Sequence, residues 1–228
     1  MYESEIIKKF EKLPVFSLGD VNQIIPNRIY AKKFLKKMCK ANKIFRVHKN
    51  IYTLYEDSFL ISTFLTKPSY ISGASALSYH HLITQIPNEV FCATMKKNKT
   101  IRYKEQINFN HTKYFFGFDF KEYEKFKIPI ATPEKAIIDS LSIIPISVFE
   151  EAFEDINKEL MLEILKKIKK SNIIKRIGYL MEKNGHDVYN DLKKYINYKY
   201  IKLEPLMKKM GKKDKKWGLI INTKWVSV

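Results

Sequence analysis

The sequence is poor in cysteine and glycine, with only two of the first and seven of the second in 228 residues, and each scarcity excludes something. Cys39 and Cys92 stand far apart, with no CxxC pair and no His-rich companion. They offer neither a disulfide framework nor the ligand spacing of a zinc site. The scattered glycines build no phosphate-cradling loop. No Ser-His-Asp or Cys-His arrangement follows from the spacing. The adjacent His80 and His81 lack the i,i+4 separation that lets two imidazoles share a metal on one helix face. No metal and no organic cofactor is therefore expected. Long apolar runs are also missing: the chain opens MYESEIIKKFEKL, with charges every few residues, so a signal peptide and a membrane span are not expected. The sequence reads as a cytoplasmic protein with no membrane partner.

Positive charge and core-forming residues are abundant. Forty-two Lys and Arg against twenty-four Asp and Glu give a net charge of +18, while 45% hydrophobic and 14% aromatic content can fill one large domain or two modest ones. Such a charge favours a polyanionic partner. A chain rich in Lys, Ile and Asn and poor in Gly and Arg is also what an AT-rich genome encodes, in which case lysine is only the default surface residue. Placement separates the two. Between Asp20 and Glu56 there is no carboxylate, and the stretch NRIYAKKFLKKMCKANKIFRVHKNIYTLY, Asn27 to Tyr55, holds seven lysines and two arginines.

At about 100° per residue, Lys32, Lys33, Lys36, Lys37 and Lys40 fall on one arc of a helix, and Tyr30, Phe34, Leu35, Met38 and Ala41 on the other. Like charges at i,i+4 cost an isolated helix a few tenths of a kcal/mol each, a cost an anion would relieve. The neighbours complete a pattern. Glu3 to Leu13 has helical spacing and is stopped by Pro14. Ser17 and Asp20 resemble a capping box opening a short second helix that Pro26 ends. Asn27 is then an N-cap for the lysine helix. IFRVH and IYTLY alternate in strand fashion around the turn-prone Lys49-Asn50.

Helix, helix, basic helix and β-hairpin within about sixty residues is the order of a winged helix-turn-helix. Its third helix would enter the major groove, with Arg28, Tyr30, Ala31 and Lys32 near base edges, Lys33 on the same cationic arc, and Lys36, Lys37 and Lys40 on phosphates. Arg46, Lys49 and Asn50 would sit on the wing, placed for backbone or minor groove. A winged helix that binds protein instead is the alternative.

The remainder reads as a mixed α/β part with a small sheet and a helical segment, so the fold class expected is α+β, with domains at 1–60 and 68–228. SYISGASALSYHHL, Ser69 to Leu82, has helical packing positions entered through Ser72-Gly73. VFCATMKK, TIRYKEQINFNHT and YFFGFDF are β-rich. IPIATPEKAIIDSL starts as a strand and turns helical at Pro133, with Thr132 as N-cap and Glu134 in the first turn. From Ser147 to Tyr200 the pattern is helical with breaks at Asn172 and Gly185, and KKWGLIINTKWVSV returns to strand character. In KRIGYLMEKNG, Asn184-Gly185 forms the C-cap and the basic start reads as a contact surface.

The succession of the winged-helix pattern, YISGASAL, YFFG, IPIATPEKAIIDSL, KRIGYLMEKNG and WGLIIN resembles the AbiE-family antitoxins, the transcriptional-regulator half of an abortive-infection toxin–antitoxin pair, over nearly the whole chain. The resemblance implies an N-terminal domain that binds double-stranded DNA at inverted repeats in its own promoter, acting as an autorepressor. It also implies a C-terminal antitoxin domain countering a nucleotidyltransferase-like toxin without a stable complex, the type IV arrangement used in phage defence. The residues themselves leave two rivals. One is a nucleic-acid-processing enzyme, for which Glu134, Lys135 and Asp139 would be the metal-site candidates. The other is a simple repressor. The expectation drawn here is a non-enzymatic regulator in which Glu134 serves the helix N-terminus and Ile137, Ile138 and Leu141 form core.

Overall fold

The computed structural model describes residues 2–208 and 210–223. It is an α+β protein of helices and three sheets. The chain begins with α1 (Tyr2–Phe10), β1 (Phe16–Ser17), α2 (Leu18–Asn22), α3 (Arg28–Lys40), β2 (Phe45–His48) and β3 (Ile51–Thr53). The three strands form an antiparallel sheet in the order β1-β3-β2. Its core holds Ile6 and Phe10 from α1, Val21 from α2, and Ala31, Leu35 and Met38 from α3, buried together with Phe16 and Tyr52. Of the arc expected on α3, Leu35 and Met38 are buried while Tyr30 and Ala41 are exposed, and Ala31, expected near base edges, is instead fully buried in this core. Phe10 and Phe16 stack with ring centroids 4.3 Å apart, which ties α1 to β1.

The punctuation of this segment follows its sequence signals. Ser17 Oγ accepts from Asp20 N at 3.2 Å and Ser17 N donates to Asp20 Oδ2 at 2.7 Å, a full capping box. Asn27 Oδ1 accepts from Tyr30 N at 3.0 Å and opens α3. Asn50 turns the β2–β3 hairpin at φ +62°, a conformation asparagine tolerates better than most residues, and its carbonyl accepts from Leu18 N at 2.9 Å. The hairpin tip is thereby tied to the start of α2.

The chain continues through α4 (Ser58–Leu65), β4 (Ser69–Ile71), α5 (Gly73–Tyr79), β5 (Glu89–Thr94), β6 (Lys99–Arg102), β7 (Gln106–His111), β8 (Phe118–Tyr123) and β9 (Phe126–Ala131). These strands make a six-stranded sheet in the order β6-β7-β5-β4-β9-β8, in which β5 and β7 run parallel. Then come α6 (Pro133–Ser140), two short 3-10 turns, α7 (Lys158–Ile168), α8 (Ser171–Lys183) and α9 (Tyr189–Leu192), a third 3-10 turn at Lys193–Tyr195, and the strands β10 (Ile201–Lys202), β11 (Lys212–Asp214) and β12 (Leu219–Ile221). The last three pair in the order β10-β12-β11. Among the described residues no helix is long and apolar enough to cross a membrane.

Several boundaries differ from the sequence pattern. The helix expected within Ser69–Leu82 enters at Ser72-Gly73 as read but is only seven residues long, Gly73–Tyr79, and Ser69–Ile71 before it is a strand. The strand expected over YFFGFDF begins only after Gly117, at φ +75°. The break placed at Asn172 falls at Lys169, which leaves α7 at φ +52°, and Asn172 lies in the first turn of α8. The helical stretch expected to reach Tyr200 ends near Ile196, where the backbone becomes extended. Strand character returns at β12 as expected, while residues 224–228 lie outside the described residues.

Two compact units result. The first holds the chain up to Ile71 with Asn88–Lys113 and Phe120–Pro129; the second holds Ser72–Pro87, Tyr114–Asp119 and the chain from Ile130 onward. The division expected between residues 60 and 68 follows chain order, whereas compactness also draws later strands into the first unit. Tyr103 Oη donates to Tyr55 O at 2.8 Å, Glu105 N to Ser58 Oγ at 3.1 Å and Tyr123 Oη to Asp57 Oδ2 at 2.9 Å. No local pattern announces such long-range bonds.

Candidate nucleic-acid interface

The ten residues singled out in the sequence all lie on α3 and the β2–β3 hairpin, and nine are exposed, with Asn50 half-buried. The structure divides them. A concavity of about 660 Å³ is lined by Lys32, Lys36 and Lys40 from α3 and by Arg46, Lys49 and Asn50 from the hairpin. The three lysines are one i,i+4 row, the ridge of a helix that faces a single neighbour. Lys33 and Lys37 stand on the next row, about 100° round the helix, and lie outside the concavity with Arg28 and Tyr30. The sequence arc joined both rows because it had no hairpin to divide them.

The floor of the concavity adds two residues the sequence did not suggest, Cys39 and Tyr52. Burial pushes the Cys39 thiol and the Tyr52 phenol up from their ordinary values, and the nearby Arg46 charge pulls both partly back. Both are therefore neutral at physiological pH, and neither adds a negative charge to the concavity. The alternation of the hairpin could have placed Tyr52 inward. Nothing local marks Cys39 beyond its position between Lys36 and Lys40.

Tyr30 also makes aromatic contacts within the first three helices. Its ring packs edge-on to Tyr2 of α1 at 6.3 Å and lies 6.2 Å from Phe34, while remaining 49% exposed. Ile29 beside it is 71% exposed. Lys43 forms an ion pair with Glu3 at 3.0 Å, so the cationic run does not act as one undivided surface.

The later motifs meet inside the second unit. Lys135, fully buried, pairs with Asp139 one helical turn on, and Ser72 Oγ donates to Asp139 Oδ2 at 2.6 Å. A Cβ on Gly117 would lie 3.1 Å from Lys135 Cβ, so the missing side chain leaves room for the lysine stem. YISGASAL, YFFG and ATPEKAIID thus converge on one buried ion pair. Glu134 acts elsewhere, its Oε1 accepting from Asn157 N at 2.9 Å and so fixing the residue whose side chain caps α7. Among the described residues there is no group of three or more His, Cys, Asp or Glu placed to hold a metal ion.

KRIGYLMEKNG and WGLIIN form a second joint. A Cβ on Gly178 would lie 2.2 Å from Trp217 Cη2, so the indole rests on the bare backbone of α8. Trp217 Nε1 donates to Glu182 Oε2 at 2.8 Å, and Tyr189 packs edge-on to the ring at 5.2 Å. The basic start of α8, expected to be a contact surface, is turned inward. Lys175 is fully buried, with Nζ donating to Asn197 Oδ1 at 2.9 Å and Lys199 O at 2.5 Å, and burial lowers its pKa. Arg176 Nε donates to Lys202 O at 2.9 Å. These cations give partners to the carbonyls of Lys199 and Lys202 and to the Asn197 side chain. Gly185 closes the helix at φ +86°, as its Asn-Gly signal indicated.

No protein-family model matches the chain, and no curated protein matches its sequence. Among solved structures it is similar to the crystal structure of RV2827C protein from Mycobacterium tuberculosis, with a TM-score of 0.66 and 9% sequence identity over 96% of this chain and 90% of that one. At that identity the likeness is one of fold.

Proposed function

We propose that the first three helices and the β2–β3 hairpin are a winged helix-turn-helix that binds double-stranded DNA, and that the chain is an autorepressor and antitoxin of an abortive-infection system. The observation that carries the DNA reading is the concavity itself. A row of three lysines on one helix and two further cations on a hairpin face a common space, in a stretch without a carboxylate. That arrangement suits a duplex backbone running between helix and wing, with phosphates entering among the cations. Asn50 and Arg46 would follow the strand on the wing side. Lys33, Lys37, Arg28 and Tyr30 would approach the duplex from the outer rows of α3, where Arg28 and Tyr30 stand nearest the end expected to meet base edges.

The antitoxin half rests on the resemblance of six motifs. A duplex carrying the inverted repeats upstream of the chain's own reading frame should be retarded by the full-length protein in preference to a scrambled duplex of equal length. Co-expression with an adjacent nucleotidyltransferase-like reading frame should restore growth without the two proteins co-purifying. Retardation of both duplexes alike would reduce the DNA activity to general charge attraction, and failure of rescue would leave a repressor alone.

The enzyme alternative makes a contrary forecast about Glu134. Because Gln keeps an acceptor for Asn157 N, and Glu134 Oε2 is buried without a hydrogen-bond partner among the described residues, Glu134→Gln should lower the melting temperature slightly or not at all and leave neutralisation intact. Glu134→Ala should cost about 1–2 kcal/mol in denaturant unfolding. A magnesium- or manganese-dependent turnover of DNA, RNA or nucleotides, lost in Glu134→Gln and kept in Lys36→Ala, would instead establish the enzyme.

A further inference from the structure

We propose that the second unit carries a separate surface for single-stranded nucleic acid, formed by the described residues of two segments, Lys193 to Lys208 and Met210 to Lys216. These segments contain nine lysines and two acidic residues. Glu204 is buried, 1% exposed, and accepts from Ile146 N at 2.7 Å and from Leu206 N at 3.0 Å, while the half-buried Asp214 accepts from Trp217 N at 2.7 Å through Oδ1. One of the two carboxylates is thus held inside the fold, away from the lysines. Lys202 and Lys216 are engaged as well, the first by the carbonyls of Pro205 and Met207, the second by Glu182. Lys199, Lys208, Lys212, Lys213 and Lys215 remain exposed.

Two tyrosines lie in the same stretch. Tyr198, next to Lys199 in sequence, is 88% exposed. Tyr200, just before β10, has Lys213 of β11 over its ring at 5.5 Å. The backbone beneath them is fixed, because Lys175 holds Asn197 and Lys199 from below and β10 pairs with β12. A solvated lysine surface has no use for an uncovered phenol ring on a pinned backbone. An open aromatic face beside ammonium groups is suited to a base flanked by its phosphates, and a duplex keeps its base faces in the stack, so an unpaired strand is the form that can use both. Leu206, Met207 and Met210 are exposed nearby in sequence, and an acidic protein would use them with the same lysines. It would have no need of the tyrosine.

The test uses the full-length chain and labelled short oligouridine, oligothymidine and duplex DNA, titrated by anisotropy. Both single strands should bind, tighter binding of oligouridine identifying RNA as the source and equal binding a strand read through bases and phosphates alone. Tyr198→Ala should weaken single-strand binding on the order of tenfold, and Tyr198→Phe should restore most of it, because stacking needs the ring and not the hydroxyl. Lys199→Gln with Lys213→Gln should weaken it further and flatten its salt dependence. Lys36→Ala with Lys40→Ala should leave it unchanged while reducing duplex binding, which keeps this inference distinct from the winged-helix reading. Equal binding by Tyr198→Ala and the native chain, or loss of single-strand binding in the Lys36/Lys40 variant, overturns the separate surface. Binding of polyglutamate but of neither oligonucleotide overturns it in favour of an acidic protein partner.

Discussion

Gly178→Ala is expected to destabilise the native chain but to stabilise one that already carries Trp217→Ala. In the native chain the new methyl would lie 2.2 Å from Trp217 Cη2, inside any allowed contact, so the indole or α8 must shift. Overpacking of this kind costs about 1–3 kcal/mol and occasionally more. Against it stands the better helix propensity of Ala, worth about 1 kcal/mol. Trp217→Ala alone should cost about 3–5 kcal/mol, from lost burial and the cavity left behind. In that background the clash is gone and the propensity gain remains, so the sign reverses. Urea unfolding of the four chains, followed by far-UV circular dichroism, gives the coupling energy directly. Additive effects would mean that the Gly178–Trp217 joint does not hold the terminal strands to α8.

The second large effect concerns DNA. Replacing Lys32, Lys36 and Lys40 together with Ala should weaken duplex binding on the order of a hundredfold to a thousandfold near 0.1 M salt, because each neutralised phosphate contributes about 0.9 to the salt exponent. Replacing Lys33 and Lys37, on the row outside the concavity, should weaken it much less. All five side chains are exposed and make no part of the core, so neither variant should lose its fold. The triple variant should even melt at the same or a slightly higher temperature, since it removes like charges spaced i,i+4 along one helix face. Lost binding with retained stability distinguishes a binding surface from a structural one.

The sequence made the N-terminal architecture legible because its signals are local. Ser17 and Asp20, Asn27, and the Lys49-Asn50 turn each act within a few residues, and each does in the structure what its spacing predicts. The apolar arc of α3 was visible in part: Leu35 and Met38 are core as read, but Ala31 joins them while Tyr30 and Ala41 are exposed. The cationic arc was visible only in part, since which lysines face a common space depends on a hairpin that folds back over one row. Tyr30 was assigned to base edges from helical position alone, and the ring of Tyr2, twenty-eight residues away in sequence, gives it a second role.

The later half was less legible because its determinants are distant pairs. Lys135 looks like a surface lysine until Asp139 and Ser72 hold it, and Lys175 and Arg176 within α8 look like a contact face until Asn197, Lys199 and Lys202 draw them in. Gly178 reads as a weak point in a helix, and only Trp217 explains it. The lysines after Lys193 were visible as composition. That Glu204 among them is buried depends on its bond to the distant Ile146 N.

The central claim is that the space between α3 and the β2–β3 hairpin receives a duplex backbone, and the most direct test is the salt dependence of duplex affinity. Binding of the chain's own upstream duplex should be titrated at several salt concentrations for the native protein, for the Lys32, Lys36 and Lys40 triple variant, and for the Lys33 and Lys37 double variant. The slope of log K against log salt should be shallower by about 2.7 in the triple variant, or 0.9 for each of three phosphates, and nearly unchanged in the double variant. Equal slopes in all three proteins would contradict the account, leaving the row of lysines as solvated surface.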